Sequence, residues 1–287
     1  MNILITNDDG IRAPGIRALH EAIVDPDGRL GGPICDKWMI VAPLTVQSAS
    51  SHGITYSSPL MVTEEEIEDD LSGTAVDGRP ADCTKLALTE LWPQRFGEGS
   101  LPDLVISGVN AGANIGINIL YSGTVAAAIE GAFLGVPAIA ISLHLSKDRV
   151  NWHTAARVAR HALARIIDHG IGEHGAIRPH DCINVNLPLC TDAPIDPPTP
   201  DEPELTVCPM NVHPLNDEYD ARQSPSGIDY YWASGHGLDF RNADEGTDVK
   251  AVLERRISVT PLRFDLTHHE QLDSWHARLS GGHVPSP

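Results

Sequence analysis

Positive charge is scarce in this sequence. Lys and Arg total 20 against 39 Asp and Glu, a formal net charge of −19. Such a surface repels nucleic-acid polymers, so no phosphate-backbone binder is expected. A small phosphate ester stays admissible where a cation and backbone amides supply local positive potential. Long apolar runs are missing too. No stretch reaches the roughly 18 residues that a membrane-spanning helix needs, and no basic segment precedes a hydrophobic run at the N-terminus. Neither a membrane span nor a signal peptide is expected. Cysteines at 35, 83, 182, 190 and 208 make an odd set without metal-type spacing, which points to reduced thiols in a cytoplasm. Internal repeats and long low-complexity tracts are absent. What remains is a chain of 287 residues, enough for one large domain or a domain plus an appendage.

The most informative stretch is Ile3-Leu4-Ile5-Thr6-Asn7-Asp8-Asp9-Gly10. Its short apolar run suits a strand buried on both faces of a parallel sheet, and it breaks at a turn-forming cluster. Two adjacent carboxylates at the carboxyl end of such a strand raise each other's pKa unless a cation neutralises them. That edge is where open α/β sheets bind ligands, and a hard divalent metal is the natural neutraliser. Capping of the following helix is the alternative for the dipeptide alone.

Apolar segments alternate down the chain as a doubly wound fold requires. A helix is expected from Pro14, with Ile16, Leu19 and Ile23 inward, then a strand over Trp38–Val41. Ile54 to Thr63 reads as extended and the acidic Glu64–Asp70 as a solvated excursion. Pro80 starts a helix carrying Leu86, Leu88 and Leu91. Strand Leu104–Ser107, a helix from Thr124, strand Ala138–Ser142, helix Thr154–Asp168 and strand Cys182–Leu187 follow. The proline-rich stretch Thr191–Glu204 marks a linker or exposed loop. Beyond it, Leu205–Pro209 and Asp229–Ala233 read as strands of a smaller β element. Thr247–Glu254 reads as a helix, Ile257–Leu262 as a strand and His268–Leu279 as a terminal helix. The fold class expected is α/β, a doubly wound, mostly parallel Rossmann-like sheet at 1–190. Residues 191–287 would supply a linker, a β-rich oligomerisation element and a terminal helix. Gly108, Gly112 and Gly116 recur every four residues, but the dinucleotide fingerprint is absent and the loop follows a later strand. A loop this rich in Gly and Asn instead lets backbone and amide groups approach an anion.

Several ordered blocks carry a family resemblance. They are Ile5–Gly10 with Ala13-Pro14-Gly15; Val41-Ala42-Pro43 leading to Gln47–His52; Pro80-Ala81-Asp82-Cys83; Pro102–Gly116; and Tyr121–Ala128. Weaker blocks lie at Ile183–Pro188 and Ile257–Leu262. Together they resemble the SurE (survival protein E) family of metal-dependent nucleotidases. The resemblance implies an all-oxygen metal site of Asp8, Asp9, Ser48 and Asn110, which favours one Mg²⁺, Mn²⁺ or Ca²⁺ over zinc. It implies a phosphate contact at Asn114. Ser122-Gly123-Thr124 opens a helix whose free N–H groups form a ready phosphate site, and an ordinary N-cap is compatible with that. His52, in the site loop, would orient the phosphate or help a proton transfer, or stand as a surface histidine. The Cys83 thiol reads as packing rather than nucleophile. Two departures stand out: Arg79, where relatives often carry Thr near the nucleoside side, and Glu254-Arg255, where many have Gly.

The implied activity is hydrolysis of nucleoside 5′- and 3′-monophosphates by a homodimer or homotetramer, with Asp8 and Asp9 catalytic. A broader acid phosphatase or short-chain exopolyphosphatase would use the same site. A non-catalytic metal-dependent nucleotide-binding module is the alternative of another class, and a complete four-ligand set argues against it.

Overall fold

Nine strands form one twisted sheet. The structure, a computed structural model, describes residues 1–195, 198–234 and 238–280. Asp196 and Pro197 of the expected linker, and residues 281–287 of the expected C-terminal unit, lie outside them. Strands β1 (Asn2–Thr6), β2 (Lys37–Pro43), β3 (Val62–Glu68), β4 (Leu71–Val76), β5 (Leu104–Ala111), β6 (Ala138–Leu143), β7 (Cys182–Leu187) and β8 (Leu205–Val207) appear in chain order, with β11 (Ile257–Leu262) near the end. Their spatial order is β3-β4-β2-β1-β5-β6-β7-β11-β8. From β4 to β7 all pairings are parallel, while β3 and β11 run antiparallel to β4 and β7. The expected doubly wound α/β sheet is present.

Alternate side chains of each central strand feed two cores. Ile3, Ile5, Ile40 and Ile106 pack with Leu19 and Ile23 of α1 (Pro14–Val24) and Val158 and Leu163 of α5 (Trp152–Ile167). Leu4, Val41 and Val105 face the other way, onto Val125 and Ala128 of α4 (Gly123–Phe133) and Cys83 of α2 (Pro80–Leu86). Helix α2 runs through a π segment, Ala87–Leu91, into α3 (Trp92–Phe96). Pro93 has no N–H for the Thr89 carbonyl, and its ring crowds that carbonyl, so the turn widens there. No helix of the described residues is long and apolar enough to cross a membrane. All five cysteines are free. Burial pushes the Cys83 thiol well above its ordinary value, which suits packing rather than nucleophilic attack.

Three expectations change. Glu64–Asp70 is mostly strand, not a solvated excursion. An edge strand needs one neighbour only and tolerates charge on both faces, and here Arg17 pairs with Glu68 at 3.2 Å and Thr74 donates to Glu64 at 2.7 Å. Conversely, residues 54–61 form no ladder. Leu205–Val207 belongs to the main sheet, parallel to β11, rather than to the smaller element. The chain after 190 therefore returns to the nine-stranded sheet. What stands apart is the ribbon of β9 (Tyr219–Gln223) and β10 (Asp229–Ala233), paired antiparallel, with α7 (His269–Leu279) at the end. Helix α6 (Asp248–Leu253) precedes β11. There Arg255 takes the left-handed φ of 63°, a conformation that favours Gly.

Candidate active site

Strand β1 lies between β2 and β5, so the winding reverses beside it and opens a crevice at the strands' carboxyl ends. β1 delivers Asp8 and Asp9 there, β2 leads into the loop bearing Ser48, and β5 carries Asn110 near its own end. Asn7 turns the chain by donating to Gly10 O at 2.8 Å and accepting the Gly10 N–H at 3.2 Å. A cavity of about 380 Å³ is lined by Asp8, Ser48, Asn110, Ala111, Gly112, Asn114 and Ser122, among others.

Asp8 is 5 % exposed. Burial, with Asp9 beside it, pushes its carboxyl up to about 6 against the hydrogen bond from Thr124. Burial likewise raises Asp9, opposed by the Ala111 N–H donating to its Oδ2 at 2.8 Å. Carboxylates held this way gain from a nearby cation. The available donors are two carboxylates, one hydroxyl and one amide oxygen, and the Asn110 amide nitrogen is turned away, donating to Gly112 O at 2.6 Å. An oxygen-only set of this kind fits a hard divalent ion. Among the described residues no group of three or more His, Cys, Asp or Glu forms a metal cluster, so a softer metal has no competing site of that type.

Gly123 and Thr124 both meet Asp8 at the start of α4. Thr124 Oγ1 donates to Asp8 Oδ1, which places that carboxylate at the positive end of α4. Gly123 permits the approach, since a Cβ there would sit 2.8 Å from Asp8 Cβ. Ser122 is the one of the three that lines the cavity, and it also caps α4 by accepting the Val125 N–H at 3.0 Å. Asn114 lines it as well, held by Asn186 Oδ1 on its N–H at 2.8 Å, by Ser142 Oγ on its amide at 2.8 Å, and by the Asn184 amide on its carbonyl at 2.8 Å. His52 is exposed; its Nε2 donates to the buried Glu130 at 2.7 Å, and it lines a neighbouring, more apolar cavity that shares Ser122 with this one. Arg79 is exposed and lies across Gly53 of the same loop.

Four supporting residues escape a motif-level reading. Asp82, in the Pro80–Cys83 block, accepts from Thr55 N–H at 2.9 Å, Thr55 Oγ–H at 2.7 Å and Arg79 N–H at 2.9 Å, tying the site loop to α2. Asn184 and Asn186 alternate with apolar neighbours on β7, the period-2 signal of one shared face. Glu130 is the lone charge on a helix otherwise made of Gly, Thr and apolar residues. A carboxylate inside an apolar helix is a sign that partners come from elsewhere.

The family model described as Survival protein SurE matches residues 3–210. The 5'-nucleotidase SurE of Rhodopirellula baltica is 40 % identical over 281 residues, 97 % of this chain and 100 % of that protein. Its namesake in Heliobacterium modesticaldum is 39 % identical over 289 residues, covering 99 % of this chain and 94 % of that one. The crystal structure of the SurE protein from Aquifex aeolicus superposes with a TM-score of 0.73 at 32 % identity, covering 98 % of this chain and 100 % of that one. With Asp8, Ser48 and Asn110 lining one cavity and Asp9 lining another, and on these matches, the chain belongs to the SurE family.

Proposed function

We propose that the protein is a metal-dependent phosphomonoesterase that hydrolyses nucleoside 5′- and 3′-monophosphates to nucleoside and phosphate. The observation that carries this reading is the convergence of Asp8, Ser48 and Asn110 on one cavity with Asn114 and Ser122. Relatives named 5'-nucleotidase SurE supply the substrate class.

Asp8, Asp9, Ser48 and Asn110 would hold one divalent ion, Mg²⁺, Mn²⁺ or Ca²⁺. When bound, it supplies Lewis-acid polarisation and neutralises phosphate charge. Asn114 and Ser122 orient the phosphoryl oxygens and stabilise them as charge moves toward the leaving oxygen. Water adds to phosphorus, the bond from phosphorus to the ribose oxygen breaks, and the water's proton ends on that oxygen. Asp9 would orient this water and take its proton, which then passes to the ribose oxygen; Ala111 engages only its Oδ2. Thr124 keeps Asp8 aimed at the crevice.

The proposal includes a homodimer or homotetramer. Every residue of β9 and β10 is exposed, α7 buries none of its side chains, and a lone two-stranded ribbon is marginal in water. Phosphate release from a panel of nucleotides, p-nitrophenyl phosphate and short polyphosphate decides the activity. Chelated protein is expected to be inactive, with Mn²⁺ or Mg²⁺ restoring nucleotide turnover. Full activity with metal removal verified by elemental analysis, or no nucleotide turnover with metal bound, refutes it.

A further inference from the structure

The loop carrying Ser48 has no ladder of its own, yet its hydroxyl must meet two aspartates from another strand. Residues 44–61 leave β2 without regular structure. Such a segment keeps its shape through hydrogen bonds to other elements; at its start the Gln47 N–H donates to Asp8 O at 2.8 Å, and the rest is held further along. Ser51 is tied by its N–H to Tyr121 O at 3.1 Å and by its hydroxyl to Leu120 O at 2.8 Å. Thr55 is tied to Asp82. Between these, four residues past Ser48, His52 donates Nε2–H to Glu130 Oε2 at 2.7 Å.

Glu130 is 3 % exposed and lies six residues along α4 from Thr124, an axial rise of about 9 Å at ~1.5 Å per residue. One rigid helix therefore grips both sides of the metal site, Asp8 through Thr124 and the Ser48 loop through Glu130. The second carboxylate oxygen accepts Lys85 Nζ at 3.1 Å. Burial raises the Glu130 carboxyl, but the His52 and Lys85 bonds outweigh it and hold it below its ordinary value. The anion is thus kept as an acceptor at neutral pH. Burying a charge in the α4 interface is costly and is offset only while both partners stay.

We propose that Glu130 is a positioning residue for the metal site, acting through His52 to hold Ser48 in reach of the ion, with Lys85 keeping the carboxylate charged. The inference rests on the metal-site reading above and deepens it. Losing the residues that orient metal ligands typically costs about 10- to 100-fold in metal affinity. For Glu130→Gln and His52→Ala the Mn²⁺ dissociation constant, read by calorimetry without substrate, is expected to rise about tenfold. For Glu130→Gln the kcat at saturating Mn²⁺ should stay within about threefold of the parent's.

Three further readings separate positioning from plain packing. The double variant should bind Mn²⁺ no worse than either single one, because both break one linkage. His52→Gln, whose amide can donate to Glu130, should recover most of the affinity. Lys85→Ala, which leaves the His52–Glu130 bond in place, should cost less than His52→Ala. Parental Mn²⁺ affinity in both Glu130→Gln and His52→Ala overturns the proposal. So do additive losses in the double variant, or an Mn²⁺ site that Asp8→Asn leaves intact. Metal binding with these dependences but no phosphate release would refute the proposed function and leave the latch standing. The reverse pattern would refute the latch alone.

Discussion

Gly123→Ala places one methyl group where α4 meets Asp8, and the structure sets two effects against each other. Alanine favours a helix by up to about 1 kcal/mol over glycine in an interior position, and by less at the first one. Against that, the new Cβ would lie 2.8 Å from Asp8 Cβ, 2.9 Å from Asp8 Oδ2 and 3.0 Å from Pro80 Cγ. Carbon atoms in contact prefer about 3.5–4.0 Å. The carboxylate tip can swing away, but Asp8 Cβ and the Pro80 ring belong to the strand end and to the first turn of α2. Relief requires a shift of roughly 0.7 Å or more, and overpacking of this kind typically costs about 1–3 kcal/mol. The clash wins by on the order of 1 kcal/mol, which lowers the melting temperature by about 2–4 °C in a chain of this size. Catalysis is far less tolerant, since a misplacement near 1 Å can cost about a hundredfold. Steady-state hydrolysis of a nucleoside monophosphate at saturating Mn²⁺, with a parallel thermal melt, should show that asymmetry. A kcat/KM within about threefold of the parent's, or a melting temperature raised by several degrees, would refute the account of why glycine stands there.

Asp8→Asn and Asp9→Asn each keep side-chain shape and remove one charge, so both should fold while turnover drops by at least about a hundredfold; near-parental turnover would return the pair to a capping role. His20, packed edge-on against Trp38 with ring centroids 4.8 Å apart, has its pKa pushed by burial from 6.5 to about 4, with Glu68 opposing. The unfolded chain then takes up a proton that the folded chain refuses, so stability present above about pH 6.5 is lost as pH falls toward 4. At about 1.36 kcal/mol per pH unit the ceiling is roughly 3 kcal/mol. Urea midpoints at pH 7 and 4.5 should fall further for the parent than for His20→Gln, and equal falls would contradict it. Light scattering at micromolar concentration should find an oligomer that Tyr231→Ser with Trp232→Ser weakens; a monomeric parent chain rules the oligomer out. Truncation near Pro188 is no test of the interface, because it removes β8 and β11 from the main sheet.

Much of the sheet was legible because its strands are short apolar runs that stop at turn residues. Cys182–Leu187 and Ile257–Leu262 are read from sequence with the same bounds the structure has, and Pro14 and Pro80 both mark helix starts. Misreadings fall where composition and role part company. Glu64–Asp70 looks like a solvated excursion because acidic residues crowd it, yet most of it is strand, and an edge strand is where charge is tolerated. Leu205–Pro209 reads as part of a smaller β element because a run of prolines precedes it, yet its strand joins β11 of the main sheet. Proline interrupts hydrogen bonding locally and says nothing about which sheet the chain rejoins.

The same division runs through the site, and α4 shows why. Asp8, Asp9 and Ser48 follow a buried strand and Asn110 lies near the end of one, so a break in apolar periodicity exposes them to a reader of one sequence. Their supports do not follow any break. Thr124 grips Asp8 across 116 residues, Glu130 grips His52 across 78, and Asn186 grips Asn114 across 72. No local spacing encodes contacts at such separations; they exist only after β1, β2 and β5 have been laid side by side and α4 packed on the sheet face. What the sequence does carry is the cost such contacts must repay. A carboxylate among alanines and glycines on α4, or two asparagines on one face of a buried strand, is unfavourable unless a partner meets it. Glu130 and Asn186 were therefore recognisable as residues needing partners before any partner could be named. An unpaired polar group inside an apolar element marks the scaffold of a site much as a strand-end polar cluster marks its chemistry.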